Sequence, residues 1–195
     1  MPPGTTLLIV ANVAIFFLQQ IAPGLIFPFA LWPFGSAQAG GASFAPWQLV
    51  TYSFLHGNVM HIVFNMFALW MFGRDLEGLM GARRFLVYYF TCVVGAAVVQ
   101  LIVAAVQGGV YPTLGASGGI FGILLAYGMA FPNRMIILLF PPIPMKAKYF
   151  VVLYGLFELY LGIAGSAPGV AHFAHLGGML FGFLLLQYWS QRRRR

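Results

Sequence analysis

Apolar residues in this chain run on rather than alternate with polar ones. Crossing about 30 Å of hydrocarbon takes about 20 residues of helix, and six stretches approach that length: 6–21, 49–72, 85–106, 113–131, 149–163 and 170–189. The pattern predicts an all-α, polytopic membrane protein: one domain over 1–195, six transmembrane helices in a bundle, no internal repeat and no soluble domain. The fifth run is the shortest. It follows MIILLFPPIP, whose prolines forbid a continuous helix, so that connection is expected at the interface. Residues 22–48, between the first two runs, are uncharged and rich in Phe, Pro, Trp and Gly. The aromatics Phe27, Phe29, Trp32, Phe34 and Trp47 suit the headgroup region, which places this loop partly in the outer leaflet. No basic segment precedes the first run, so it reads as a retained span rather than a cleaved signal.

Composition agrees with the pattern. The 195 residues are 61% hydrophobic and 7% charged, with a mean hydropathy of +0.89, whereas a soluble domain carries roughly 25% charged residues. A formal charge of +7 would suit nucleic acid, but its placement argues against that partner. Arg74, Arg83 and Arg84 fall between runs two and three, and Arg134, Lys146 and Lys148 between runs four and five. Arg192, Arg193, Arg194 and Arg195 follow run six, in a basic tail at 190–195. Six crossings put all ten basic residues on one side, which the positive-inside rule makes cytoplasmic together with both termini. The charge is thus a topology signal, with some attraction of the terminal arginines to anionic membrane lipids. The lone Cys92 excludes an internal disulfide and reads as packing. With no transit-peptide pattern and a compact core, the expected location is a prokaryotic inner (plasma) membrane.

Polar groups at membrane depth are default functional candidates. They are His56, His61 and Asn65 in run two, Ser117 in run four, Glu158 in run five, and His172 and His175 in run six. TLGASGGIFG, residues 113–122, sets Ser117 among four glycines. A phosphate-cradling loop would need a Lys after the last glycine, and Ile123 stands there. GASGG fits G-x-S-x-G, but that elbow needs an α/β sheet, and this pattern offers none. Gly115, Gly118 and Gly122 form a helical stripe answered by Gly178 and Gly182, and small residues let membrane helices approach closely.

Packing is therefore one reading of the segment, and His175 supplies another. Runs four and six cross in the same direction, with Ser117 and His175 each about one turn below the outer end. Facing stripes would bring hydroxyl and imidazole together, the arrangement that activates a serine. Of the three acids, Asp75 and Glu77 fall on the cytoplasmic side; Glu158 remains open as a third member but sits in run five, so a hydrolase here is expected to use a Ser–His dyad. His61 and Asn65, four apart on one face, are either a tie between helices or, with the Ser117 backbone N–H, donors to an oxyanion. His56 lies nearer the outer surface, lining a path for water or snorkelling. His172 competes with His175 as base. A metal set of His56, His61, His172 and His175 lacks both the H-E-x-x-H pattern and a carboxylate at the right depth, so no metal or other cofactor is expected.

Three segments, HGNVMHIVFNMFALWMFGRDLEGLMG, GASGGIFG and AHFAHLGGMLFG, in this order and spacing resemble the rhomboid family of intramembrane serine proteases. The likeness runs from about Trp47 through run six. It implies a six-helix bundle with a water-filled cavity open to the outer face. In that frame Ser117 is the nucleophile, His175 the base, and His61, Asn65 and the Ser117 N–H the oxyanion donors. Substrates would be other transmembrane proteins, cut in or near their membrane segments. The resemblance makes Glu77 structural, tying a cytoplasmic loop, and leaves Glu158 as a structural or gating residue.

Three positions depart from the family's pattern. Gln48 follows Trp47 where the family often has Arg, Phe121 stands where some members have Tyr, and His172 stands where some have a smaller amide. The rival reading is a catalytically inactive relative that binds or remodels membrane-protein clients. Such relatives usually lack the Ser or the His, and this chain has both.

Overall fold

The computed structural model describes residues 1–137, 142–165 and 170–193. Each expected run overlaps a helix: α1 (Pro3–Ile21), α2 (Val59–Met80), α3 (Ala82–Gln107), α4 (Ser117–Ala130), α5 (Ala147–Ala164) and α6 (His172–Arg193). Among the described residues, α1, α3 and α5 are long and apolar enough to cross a membrane. A fourth span is added if the short helical segment Gln48–Phe54 and α2 form one broken crossing. The chain is a mostly helical, multi-pass membrane protein.

Three connections differ from expectation, each for a physical reason. Run two is not one straight helix: Gln48–Phe54 and α2 meet at 99°. Asn58 starts the second piece, its side chain accepting the His61 N–H at 2.8 Å as an N-cap. The helix then continues past 72, through a wide turn at Leu69–Gly73, to Met80. Arg74 therefore lies within a helix, because Arg74, Asp75 and Glu77 end the apolar run without ending the hydrogen-bonding pattern.

Run four differs at its other end. Its helix starts only at Ser117, and the stretch before it is extended, with Gly115 at φ 125°. Leu31 and Thr113 exchange N–H···O bonds of 2.9 Å, and the Gly115 N–H donates to the Tyr52 carbonyl at 2.9 Å. Non-helical backbone at depth is tolerated when the protein satisfies it in this way. Gly115 consequently lies outside the helical stripe. In the connection after α4, β1 (Met135–Ile137) pairs antiparallel with β2 (Pro144–Lys146). Residues 138–141 of MIILLFPPIP, and Arg194 and Arg195 of the basic tail, lie outside the described residues.

The core is built on α3, whose Phe85, Tyr88, Tyr89, Cys92 and Val93 are fully buried. Helices α4 and α6 pack on it and on each other. A Cβ on Gly178 would run into the Gly118 carbonyl, so these glycines set the α4–α6 spacing. Gly182 faces the Tyr88 hydroxyl and Cys92 instead, so the α6 stripe is divided between two neighbours. Tyr88 also donates its hydroxyl to the Gly122 carbonyl at 2.7 Å.

Glu77 ties down a helix start rather than a loop. Its buried carboxylate accepts the Gly4 N–H at 2.7 Å, the Thr5 N–H at 2.6 Å and the Thr5 hydroxyl at 2.7 Å. It thereby answers the free N–H groups and positive end of α1. Asp75 pairs with Arg134 at 2.5 Å, so two of the basic groups share one end of the bundle. Helix α5 is attached lightly. Only Ala147, Val151 and Glu158 of it are buried, while Val152, Leu156, Phe157, Tyr160 and Ile163 are exposed.

Candidate active site

Ser117 is the first residue of α4, not one turn inside it. The first intrahelical bond of α4 runs from the Ile120 N–H to the Ala116 carbonyl. The N–H groups of residues 117–119 therefore lie at the open, electropositive end of the helix. On α6, His175 brings Nε2 to 2.8 Å from Ser117 Oγ. The Phe121 ring, one turn along α4 from the serine, lies flat on the imidazole at 4.3 Å and 4°. Stacking at this position thus needs no tyrosine hydroxyl.

The far side of His175 meets the acid that the sequence left open. Its Nδ1 lies 2.8 Å from Glu158 Oε2, and the same oxygen lies 2.7 Å from His172 Nδ1. All three residues are buried, Glu158 to 4% exposure. Glu158, although on the separate helix α5, is therefore not remote from the serine–histidine pair, and His172 meets the carboxylate. A usable signal was present: a lone acid in an apolar helix must find a partner, and His172 and His175 lie three apart on a neighbouring helix. The same three residues form the described group whose ligand atoms converge within 4.8 Å; His56 and His61 do not join it.

Ser117 and His175 open onto a cavity of about 690 Å³, which His61, Asn65, Gly115 and Tyr52 also line. A side chain on Gly115 would lie 2.7 Å from His61 Nε2 and 3.8 Å from Ser117 Oγ, so imidazole and hydroxyl flank this glycine. His61 Nδ1 accepts the Gly57 N–H at 3.4 Å, which in a neutral ring leaves the hydrogen on Nε2, facing the cavity. Asn65 Nδ2 is buried and has no hydrogen-bond partner among the described residues.

His56 does not snorkel. It is buried edge-on to His61 at 5.0 Å, and Gln19 clasps its backbone by donating to the His56 carbonyl at 3.2 Å and accepting its N–H at 3.1 Å. Gln48, standing where the family often has arginine, is also buried. It accepts the Trp32 N–H at 3.1 Å and donates to the carbonyls of Pro28 and Ser43, which pins the outer loop. Neither glutamine was among the sequence candidates, because uncharged amides at helix ends carry no distinctive spacing.

The fold and this cluster define a multi-pass membrane protein with a serine–histidine pair facing a cavity. A family model described as "Rhomboid domain" matches residues 43–192. The chain is 36% identical over 153 residues to presenilin-associated rhomboid-like protein A, mitochondrial, of Danio rerio, covering 74% of this chain and 39% of that one. It is 32% identical over 165 residues to rhomboid protein 1, mitochondrial, of Saccharomyces cerevisiae, covering 76% and 44%. It is 29% identical over 185 residues to rhomboid protease GluP of Bacillus subtilis, covering 93% and 34%. The chain belongs to the rhomboid family, and it spans less than half the length of these relatives.

Proposed function

We propose that this chain is an intramembrane serine protease that hydrolyses peptide bonds in or near the transmembrane segments of other membrane proteins. The observation that carries the proposal is the 2.8 Å contact of His175 Nε2 with Ser117 Oγ at the edge of the cavity that His61 and Asn65 also line. His175 takes the serine proton as Oγ attacks the scissile carbonyl. The new oxyanion is met by the Ser117 N–H at the start of α4, by His61 Nε2–H and by the Asn65 amide. Such preorganised donors contribute roughly 2.7–4 kcal/mol each in a water-poor site. Collapse transfers the proton from His175 to the leaving amine. A cavity water, activated by the same imidazole, then resolves the acyl-enzyme.

The proposal includes six crossings with both termini cytoplasmic, residues 22–48 in the outer leaflet and 190–195 as a basic tail. Helix α4 has 14 residues, about 21 Å at 1.5 Å per residue, against a core of about 30 Å. Starting at Ser117, it suits a reaction centre below the outer surface, reached by water through the cavity. The relatives' names include mitochondrial proteins as well as one from Bacillus subtilis. A prokaryotic plasma membrane is therefore not favoured over a mitochondrial one, and the proposal is limited to an integral, multi-pass location. Co-expression with a panel of single-span membrane proteins tests the activity. Cleavage of at least one by the wild type and none by Ser117→Ala is expected. Equal cleavage by both refutes it, and an inactive client-binding protein would cleave none.

A further inference from the structure

Glu158 is a buried acid on the otherwise lightly attached α5, and it meets the imidazole that contacts Ser117. We infer that Glu158 is a positioning residue for the reaction, holding His175 in the tautomer and orientation that the serine requires. The inference rests on the proposed serine-protease reading. A neutral imidazole accepts a proton at Nε2 only if Nδ1 carries the other hydrogen. The Glu158 carboxylate, 2.8 Å from Nδ1, accepts that hydrogen and so fixes which nitrogen faces Ser117. Phe121 fixes the plane of the ring from its face, and Glu158 fixes its rotation from its edge.

The charge matters as well as the geometry. When the Oγ–carbonyl bond forms, the serine proton moves to Nε2 and His175 becomes a cation. The Nδ1–H···Oε2 bond then becomes charge-assisted, and such bonds are roughly twice as strong as neutral ones. The proton on Nδ1 stays where it is throughout, and the one on Nε2 passes to the leaving amine. A structural tie between α5 and α6 is already made by His172, whose Nδ1 lies 2.7 Å from the same oxygen. That contact leaves the second bond of Oε2 to serve His175. His172 thereby steadies the carboxylate while His175 uses it.

The test is the labelling of Ser117 in the full-length protein by a fluorophosphonate, with the rate constant (kinact) separated from the probe's affinity (KI). Glu158→Gln keeps the shape and removes the charge. It is expected to lower kinact about 10²- to 10⁴-fold, the upper end being the loss seen when a serine protease's histidine-orienting Asp becomes Asn. KI and the unfolding midpoint should change little. His172→Ala, which removes the second contact to Oε2, is expected to lower kinact less than Glu158→Gln does, since the carboxylate still faces His175.

A second measurement needs no variant of Glu158. The ¹⁵N spectrum of the four histidines in micelles, with His175 assigned by its loss in His175→Ala, should show His175 as the Nδ1–H tautomer. Wild-type kinact in Glu158→Gln, a rate that falls only in step with the folded fraction, or an Nε2–H tautomer for His175 would overturn the inference. Wild-type labelling that vanishes in Ser117→Ala upholds the protease reading whatever Glu158 does. A wild type that does not label overturns both.

Discussion

The α4–α6 contact sets the distance between Ser117 and His175, and Gly178→Ala tests that link. The added Cβ would overlap the Gly118 carbonyl, one residue from Ser117, while Gly178 itself lies three residues from His175 on α6. Ordinary contact needs about 3.5 Å, so the two helices must part by more than about 1 Å at this level. The Nε2···Oγ distance starts at 2.8 Å. The same parting carries it to the edge of hydrogen-bond range or beyond. Misplacement of about 1 Å costs roughly 10²-fold in rate, and overpacking of a tight contact costs roughly 1–3 kcal/mol of stability. Fluorophosphonate labelling should therefore slow about 10²-fold, with a lower unfolding midpoint in detergent. Gly155→Ala is the control. Its Cβ meets only the flexible tip of Met179, at 3.3 and 3.6 Å, and it should leave both quantities close to wild type. Labelling of Gly178→Ala at the wild-type rate would refute the idea that glycine packing sets the Ser–His geometry.

Three further outcomes follow from the same contacts. Glu77→Ala removes three hydrogen bonds at the start of α1; it should cost about 2–3 kcal/mol, since bonds to charged groups contribute about 1.5–3 kcal/mol each with partial compensation by water. That loss is read by thermal unfolding, while the labelling rate below the transition stays near wild type. Asn65→Ala should lower kinact about 10²- to 10³-fold with KI little changed, as expected on losing one oxyanion donor, and a proportional loss of KI would return Asn65 to a helix tie. Asp75→Asn breaks an exposed pair with Arg134 and should shift stability by no more than about 1 kcal/mol, as measured by the same melts.

The mostly helical, multi-pass character was legible because lipid exposure demands continuous apolar runs, and among the described residues each run overlaps a helix. The pairing of Ser117 with His175 was also legible, since small-residue stripes on two runs implied close approach. What apolarity could not separate was helix from satisfied loop. The segment ahead of Ser117 reads as membrane-embedded, yet it is extended because Leu31 and Tyr52, far off in sequence, take up its backbone groups. The glycine stripe was likewise read one residue set too long, since Gly115 serves a turn at φ 125° and a close approach by His61. Glu158 escaped because its contact with His175 joins two separate helices, and no periodicity within one run encodes that. Glu77 was seen as structural, but its partner at the start of α1 is a contact across 72–73 residues that no local pattern reveals.

The central claim, that His175 activates Ser117 for acyl transfer, is met most directly by locating the adduct of a fluorophosphonate on the purified protein by peptide mass spectrometry. One adduct on Ser117, absent in Ser117→Ala and slowed at least about 10³-fold in His175→Ala, is the predicted result. An adduct elsewhere, or labelling that persists undiminished in His175→Ala, would contradict it.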